Sequence, residues 1–211
     1  MEVCVPFWNQ QHERRMTPLD VLHTAQTEGM SFAAFLERAH DRKEAKDPAD
    51  PYAPGRPLNY SRMTRHQASY APTEAMTAAM QTITTPQTWV VITEDWCGDS
   101  AQTLPVIDAI AALNPLVELR ILDRDTYPQA MDLYLTNGSR SVPMVIAFAT
   151  GGTPEQRWVW GPRPEAAKLA VAAWKTQFAV NTEWYPLLHA WYVQHGHQEV
   201  EADFIHHITS A

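Results

Sequence analysis

The chain has 211 residues, enough for one sizeable domain or a small domain with extensions, and its 45% apolar content supports a buried core. A net charge of −8 argues against the basic surface that phosphate backbones need, so nucleic acid is not an expected partner. No apolar run reaches transmembrane length, the first residues lack the basic-then-apolar layout of a secretory leader, and two widely separated cysteines make no disulfide framework. A cytoplasmic protein without a membrane partner is expected.

Residues 1–16 are mixed and polar. Thr17-Pro18 predicts a helix start, a capping hydroxyl before a proline at the first helical position, with Leu19, Leu22 and Ala25 in period and Gly29 as the stop. Ser31 caps a second predicted helix carrying Phe32, Phe35, Leu36 and Ala39, which frays into a charged run at 41–44. Four prolines between 47 and 57 predict a surface loop. Asn59 is expected to cap a short helix through Tyr60, Met63 and His66, and Thr73 another through Met76, Ala79 and Met80. The methionines read as core filler.

Val90, Val91, Ile92 and Thr93 are a β-branched run and predict a buried strand. Gly98, Asp99 and Ser100 then open a helix, in which Ala101, Leu104, Ile107 and Ala111 recur at helical spacing. Val117, Leu119 and Ile121 alternate as a second strand, and Pro128 opens a helix through Leu135 that Asn137-Gly138 closes. Residues 144–149 and 156–160 read as a hairpin over Gly151-Gly152. A helix over 165–178 is expected to lay Leu169, Ala172, Ala173 and Trp174 on the sheet, and residues 181–211 are helical in character, with His195-Gly196-His197 read as a helix end.

One cysteine, Cys97, sits where the first strand gives way to a helix. A thiol there faces unpaired backbone N–H groups and the positive end of the helix dipole, and both favour the reactive thiolate. Asp99 opposes this, because a neighbouring carboxylate raises a thiol pKa, although an acidic residue in a first helical turn also has a purely structural explanation. Ser100 reads as a hydrogen-bonding helix residue, with no nearby His and Asp pattern to activate it. Five histidines crowd the C-terminal segment, but without cysteines or carboxylates at ligand spacing no metal site is expected.

Trp96-Cys97-Gly98, Pro105 eight residues after the cysteine, the loop Gly138-Ser139-Arg140-Ser141-Val142-Pro143 before a strand, the turn Gly151-Gly152 and the strand end Trp160-Gly161 together resemble the thioredoxin family. The resemblance implies an α/β thioredoxin fold, a central mixed sheet flanked by helices, over residues 86–178. The N-terminal (1–85) and C-terminal (179–211) regions would be helical extensions packed on it. It also implies a cis Pro143 facing Cys97, substrate contacts from Val142, Pro143, Arg140, Trp160 and Gly161, and an active-site motif of Trp96, Cys97, Gly98, Asp99 and Ser100. The sequence departs from the family pattern twice. Ser100 stands in place of the resolving cysteine, and Val91 occupies the position of a buried aspartate six residues before the first cysteine.

The resemblance therefore implies thiol exchange through Cys97 alone. It would form a mixed disulfide with a protein or a low-molecular-weight thiol, which an external thiol releases, and no cofactor is required. Cys4 could resolve it only if the N-terminus folded over the site. The alternative is a non-catalytic binding module that keeps the groove beside the cis-proline. Monothiol glutaredoxins carry a similar Cys-Gly-x-Ser and hold an iron–sulfur cluster with glutathione; no basic residues adjoin the motif in sequence, so that reading ranks last. The oligomeric state is left open.

Overall fold

A computed structural model describes residues 15–45 and 49–210; Cys4 and the start of the proline-rich loop lie outside the described residues. Thr17 caps helix α1 (Pro18–Glu28) by accepting from the Asp20 N–H, while the Asp20 carboxylate accepts from the Thr17 N–H at 2.8 Å. This reciprocal pair satisfies donors that a helix start otherwise leaves open. Ser31 caps α2 (Phe32–Arg42) through the Ala34 N–H. Between the two helices, Met30 exchanges both backbone hydrogen bonds with Ile121 and so occupies part of an outer strand's free edge.

Four strands form one sheet in the order β2-β1-β3-β4. Central β1 (Gln87–Thr93) pairs parallel with β2 (Val117–Asp123) and antiparallel with β3 (Met144–Ala149), which pairs antiparallel with β4 (Glu155–Trp160). Every β1 residue from Thr88 to Thr93 is buried, because helices cover both faces. That is why the strand reads as a continuous apolar run rather than an alternation. Its side chains still divide by parity. Trp89 and Val91 enter a cluster with Phe35, Met63, Met76, Ile107 and Phe204, whereas Val90 and Ile92 pack with Val21, Leu22, Met131 and Phe148. The first cluster joins α2, α3 (Arg56–Ser69), α4 (Glu74–Gln81), α5 (Gly98–Ala111) and the last helix; the second is closed by α1 and the short α6 (Pro128–Met131).

Four local expectations need correction. Helix α3 begins at Arg56, with Pro57 in its first turn, so Asn59 is not a cap but a buried interior residue with its amide committed elsewhere. Helix α6 stops at Met131 instead of running to Leu135: Leu133 and Leu135 are exposed, and the chain turns through Asn137 and Gly138 at φ 51° and 78°. Helix α7 (Glu165–Gln177) leaves Leu169 67% exposed and buries Ala167 and Val171, because it packs on the helix that follows rather than on the sheet. That helix, α8 (Asn181–Ser210), is continuous across Gly196. Gly196 is buried inside it, and a Cβ there would stand 3.0 Å from the Tyr192 ring, so the small residue serves packing and not termination.

Among the described residues no helix is long and apolar enough to cross a membrane.

Candidate functional site

Cys97 is the N-cap residue of α5. Its Sγ accepts from the Ser100 N–H at 3.5 Å and its S–H donates to the Val142 carbonyl at 3.2 Å. The Val142–Pro143 peptide bond is cis. The Ser100 hydroxyl accepts from Thr93 Oγ1 at 2.6 Å inside the core. Cys97 is buried, with 8% of its surface exposed. Burial pushes its thiol up to about 11, with Asp99 adding to the rise and the Ser100 side chain, then the N–H groups of Ser100 and Asp99, working against it. Desolvation therefore outweighs the helix terminus, and the resting sulfur is a protonated hydrogen-bond donor.

Cys97, Gly98 and Val142 form part of the wall of a cavity of about 670 Å³. A one-turn 3-10 segment (Ala53–Gly55) and α3 supply one side with Tyr52, Leu58, Asn59 and Arg62; α8 supplies another with Tyr185, Leu188 and His189; Arg124, Arg140 and Arg163 complete the lining. Trp96 is held between two partners, its ring stacked on Tyr52 at 4.2 Å and covered by the Arg124 guanidinium at 4.5 Å. Asn59 Nδ2 donates to the Trp96 carbonyl at 2.8 Å, which fixes the strand-to-helix junction to α3. Asp95, one residue earlier, is buried against Arg56 at 3.0 Å and Arg42 at 3.2 Å. Asp99 is tied to Arg163 at 2.6 Å and accepts from the Tyr192 hydroxyl at 2.9 Å, so it joins α5 to the loop after β4 and to α8.

Behind the cavity runs a line of polar side chains. His197 Nε2 lies 2.7 Å from His66 Nδ1, His66 Nε2 lies 2.5 Å from Gln102 Oε1, and Gln102 Nε2 lies 3.5 Å from His189 Nδ1. Burial lowers the pKa of all three histidines, His189 to about 4 with Arg62 adding to its fall. Neutral imidazoles can donate at one nitrogen and accept at the other, which is what such a line requires.

A family model described as thioredoxin matches residues 45–175. The chain belongs to the thioredoxin family. Two solved structures share the fold: a protein of unknown function from Pseudomonas aeruginosa (17% identity, TM-score 0.61, covering 92% of this chain and 98% of that one) and an HIV epitope scaffold (19% identity, TM-score 0.61, covering 93% and 99%). At such identity they speak for the fold alone. No curated protein matches the sequence significantly. The family match begins before α3, so it takes in α3 and α4 as well as the sheet.

Of the residues singled out in the sequence, Trp96, Cys97, Gly98, Asp99, Arg140 and Val142 gather at the cavity. Arg140 also forms a two-pronged ion pair with Asp132, at 2.7 and 2.8 Å. Ser100 and Pro143 stand behind the lining. Gly161, at φ 130°, lies against the Pro143 carbonyl so closely that a Cβ would come within 2.2 Å of it. Trp160 is placed on the far side of the sheet edge, where its indole donates to Asp203 at 2.7 Å and its ring packs on Phe204. The expected substrate contact from Trp160 thus has no counterpart in the cavity, because β4 turns that side chain toward α8.

Sequence reasoning missed Tyr52, Asn59, Arg62, Arg124, Arg163 and His189. None adjoins the motif in sequence, and each reaches it through tertiary packing. Among the described residues no cluster of three His, Cys, Asp or Glu side chains is placed to hold a metal ion. The C-terminal histidines are spread along α8 and engage other partners, His207 stacking on Trp158 and His197 meeting His66.

Proposed function

We propose that the protein exchanges thiols through Cys97 alone, with a partner that enters the cavity over the sulfur. The observation that carries this reading is the position of Sγ: at the N-terminus of α5, within reach of the Ser100 N–H and opposite the Val142 carbonyl, in the wall of a cavity sized for a small ligand. In the forward step the Cys97 thiolate attacks one sulfur of a disulfide RS–SR. A Cys97–SR bond forms, the S–S bond breaks, and RS⁻ leaves with the electron pair. An external thiol then attacks the mixed disulfide, frees Cys97 and carries RS away as a new disulfide. With Ser100 in the second motif position, that outside thiol takes the resolving role.

The raised thiol pKa slows this chemistry without forbidding it. A rise of two units costs about a hundredfold in thiolate fraction. A more basic thiolate is also a better nucleophile, with a Brønsted slope of about 0.4–0.5, which returns nearly tenfold. The net penalty is about tenfold at neutral pH, and holding the two sulfurs together in a cavity can supply more than that.

The same raised pKa favours a second reading, a binding module that retains the fold and the cavity while its thiol stays inert. One experiment separates them. Purified Cys4→Ser protein is incubated with hydroxyethyl disulfide, and intact mass is followed with and without reduced thiol. A mixed disulfide on Cys97 that added thiol releases, absent from the Cys97→Ala variant, supports exchange; no adduct on the folded protein rejects it in favour of binding.

A further inference from the structure

The cavity over Cys97 carries a charge opposite to that of the molecule. The chain has a net charge of −8, yet Arg62, Arg124, Arg140 and Arg163 all line this space, with Asp99 as the one carboxylate among the lining residues. Three of the four arginines are already engaged with acids: Arg124 with Asp125 at 2.7 Å, Arg140 with Asp132 at 2.7 Å and Arg163 with Asp99 at 2.6 Å.

Arg62 differs. Among the described residues it forms no ion pair, and its guanidinium donates to the neutral Asn59 side chain at 3.0 Å. Its pKa is lowered, first by burial and then by Arg65, with Asp99 pulling the other way. A half-buried guanidinium without a carboxylate is a cost to the folded protein that an anionic ligand would relieve. It is also preorganised. Asn59, which accepts from it, is itself fastened to the Trp96 and Asp95 carbonyls, so little side-chain freedom remains to be lost on binding. The guanidinium stands 3.7 Å from the point that a Cβ on Gly98 would occupy, next to the reactive cysteine. His189 lies on the same side, its Cε1 3.2 Å from that point.

We infer that the small molecule exchanged at Cys97 is acidic, a carboxylate-bearing thiol or its disulfide, whose anionic group docks on Arg62 while its sulfur meets Sγ. The inference deepens the exchange reading and rests on it for the chemistry at sulfur; the docking on Arg62 needs no reactive cysteine. Size supports a small molecule over a protein disulfide. The cavity falls within the few hundred cubic ångströms typical of small-ligand sites, and α3 and α8 line it beside a cysteine that is only 8% exposed. Tyr52, Leu58, Trp96 and Leu188 offer apolar contact to the ligand's carbon skeleton.

Three small disulfides test the inference: dithiodipropionate with acidic ends, hydroxyethyl disulfide with neutral ends and cystamine with basic ends. Mixed-disulfide formation at Cys97 is timed in Cys4→Ser protein, and each rate is divided by that of the urea-unfolded chain to remove intrinsic reactivity. The acidic disulfide should exceed the neutral one by about tenfold at low salt, and cystamine should be slowest. This ratio should fall toward one in Arg62→Gln and persist in Arg65→Gln, whose guanidinium lies outside the cavity lining. Equal normalised rates for the three, or an unchanged ratio in Arg62→Gln, overturn the inference. If no disulfide reacts, the exchange reading has failed, and adipate is titrated against Cys97→Ala protein while Tm is followed. Saturable stabilisation that Arg62→Gln abolishes upholds acidic docking alone; no stabilisation overturns the docking too.

Discussion

Glu94 closes β1 in a setting hostile to its charge. It is buried, its carboxylate accepts from the Asp125 N–H at 2.9 Å, and its pKa is pushed up to about 7, first by burial and then by Asp123, Asp125 and Asp95. The folded protein thus holds a proton on Glu94 that the unfolded chain has released above its ordinary 4.5. Stability from this group is fully present below pH 4.5 and is lost as pH rises through about 7. Glu94→Gln keeps an acceptor for Asp125 and removes the charge. Its Tm should exceed the wild type's by about 2–4 °C at alkaline pH, a shift of the size that ~1 kcal/mol gives in a domain of this length. The gain should vanish in acid. Melting curves across pH check this, and an equal or negative difference at every pH would contradict it.

At the scale of elements, α3 decides where the cysteine sits. Residues 94–96 join β1 to α5, and α3 grips them twice: Arg56 on the Asp95 carboxylate and Asn59 on the Trp96 carbonyl. Asp95 is 3% exposed, so it depends on its guanidinium partners. Arg56→Leu leaves it with Arg42 alone and should destabilise the fold by about 3 kcal/mol, the lower end for breaking a buried pair. Urea denaturation measures this, and a loss below about 0.5 kcal/mol, the size of an ordinary surface change, would show that the pair does not anchor the junction. None of that grip is visible in the sequence. Caps at Thr17, Ser31 and Thr73 are legible because a cap is a local event, settled within three residues. So is the strand–cysteine–helix junction. The buried face of α7 is not legible, since its alanines offer several equivalent stripes and the choice falls to the tertiary packing of Trp184, Leu188 and Tyr192 from α8. Gly196 misleads for a related reason: a glycine reads as a stop until the packing of the Tyr192 ring against it is known.

Across the whole molecule, the family motif marks the sheet and the sulfur, while the flanking helices make the cavity. The thioredoxin-family fold is readable from residues 89–161 because its signature turns on short spacings around one strand–helix junction. The arginine-lined space is not, because its walls combine α3 with α8, more than a hundred residues apart, and the loops at 124, 139–142 and 162–163. Cys97 is buried beside that space in a cluster with Ile92, Val142 and Met144, so desolvation suppresses the thiolate that the helix terminus alone would favour. Both effects meet in one quantity, the rate of Cys97 alkylation by iodoacetamide as a function of pH, measured on folded and urea-unfolded Cys4→Ser protein. The account predicts a folded rate that climbs about tenfold per pH unit from neutral pH and approaches its plateau only near 11, against an unfolded reference that levels off at an ordinary thiol pKa. A folded rate already level below about pH 8.5, or a Cys97 that no pH short of unfolding makes reactive, would contradict it.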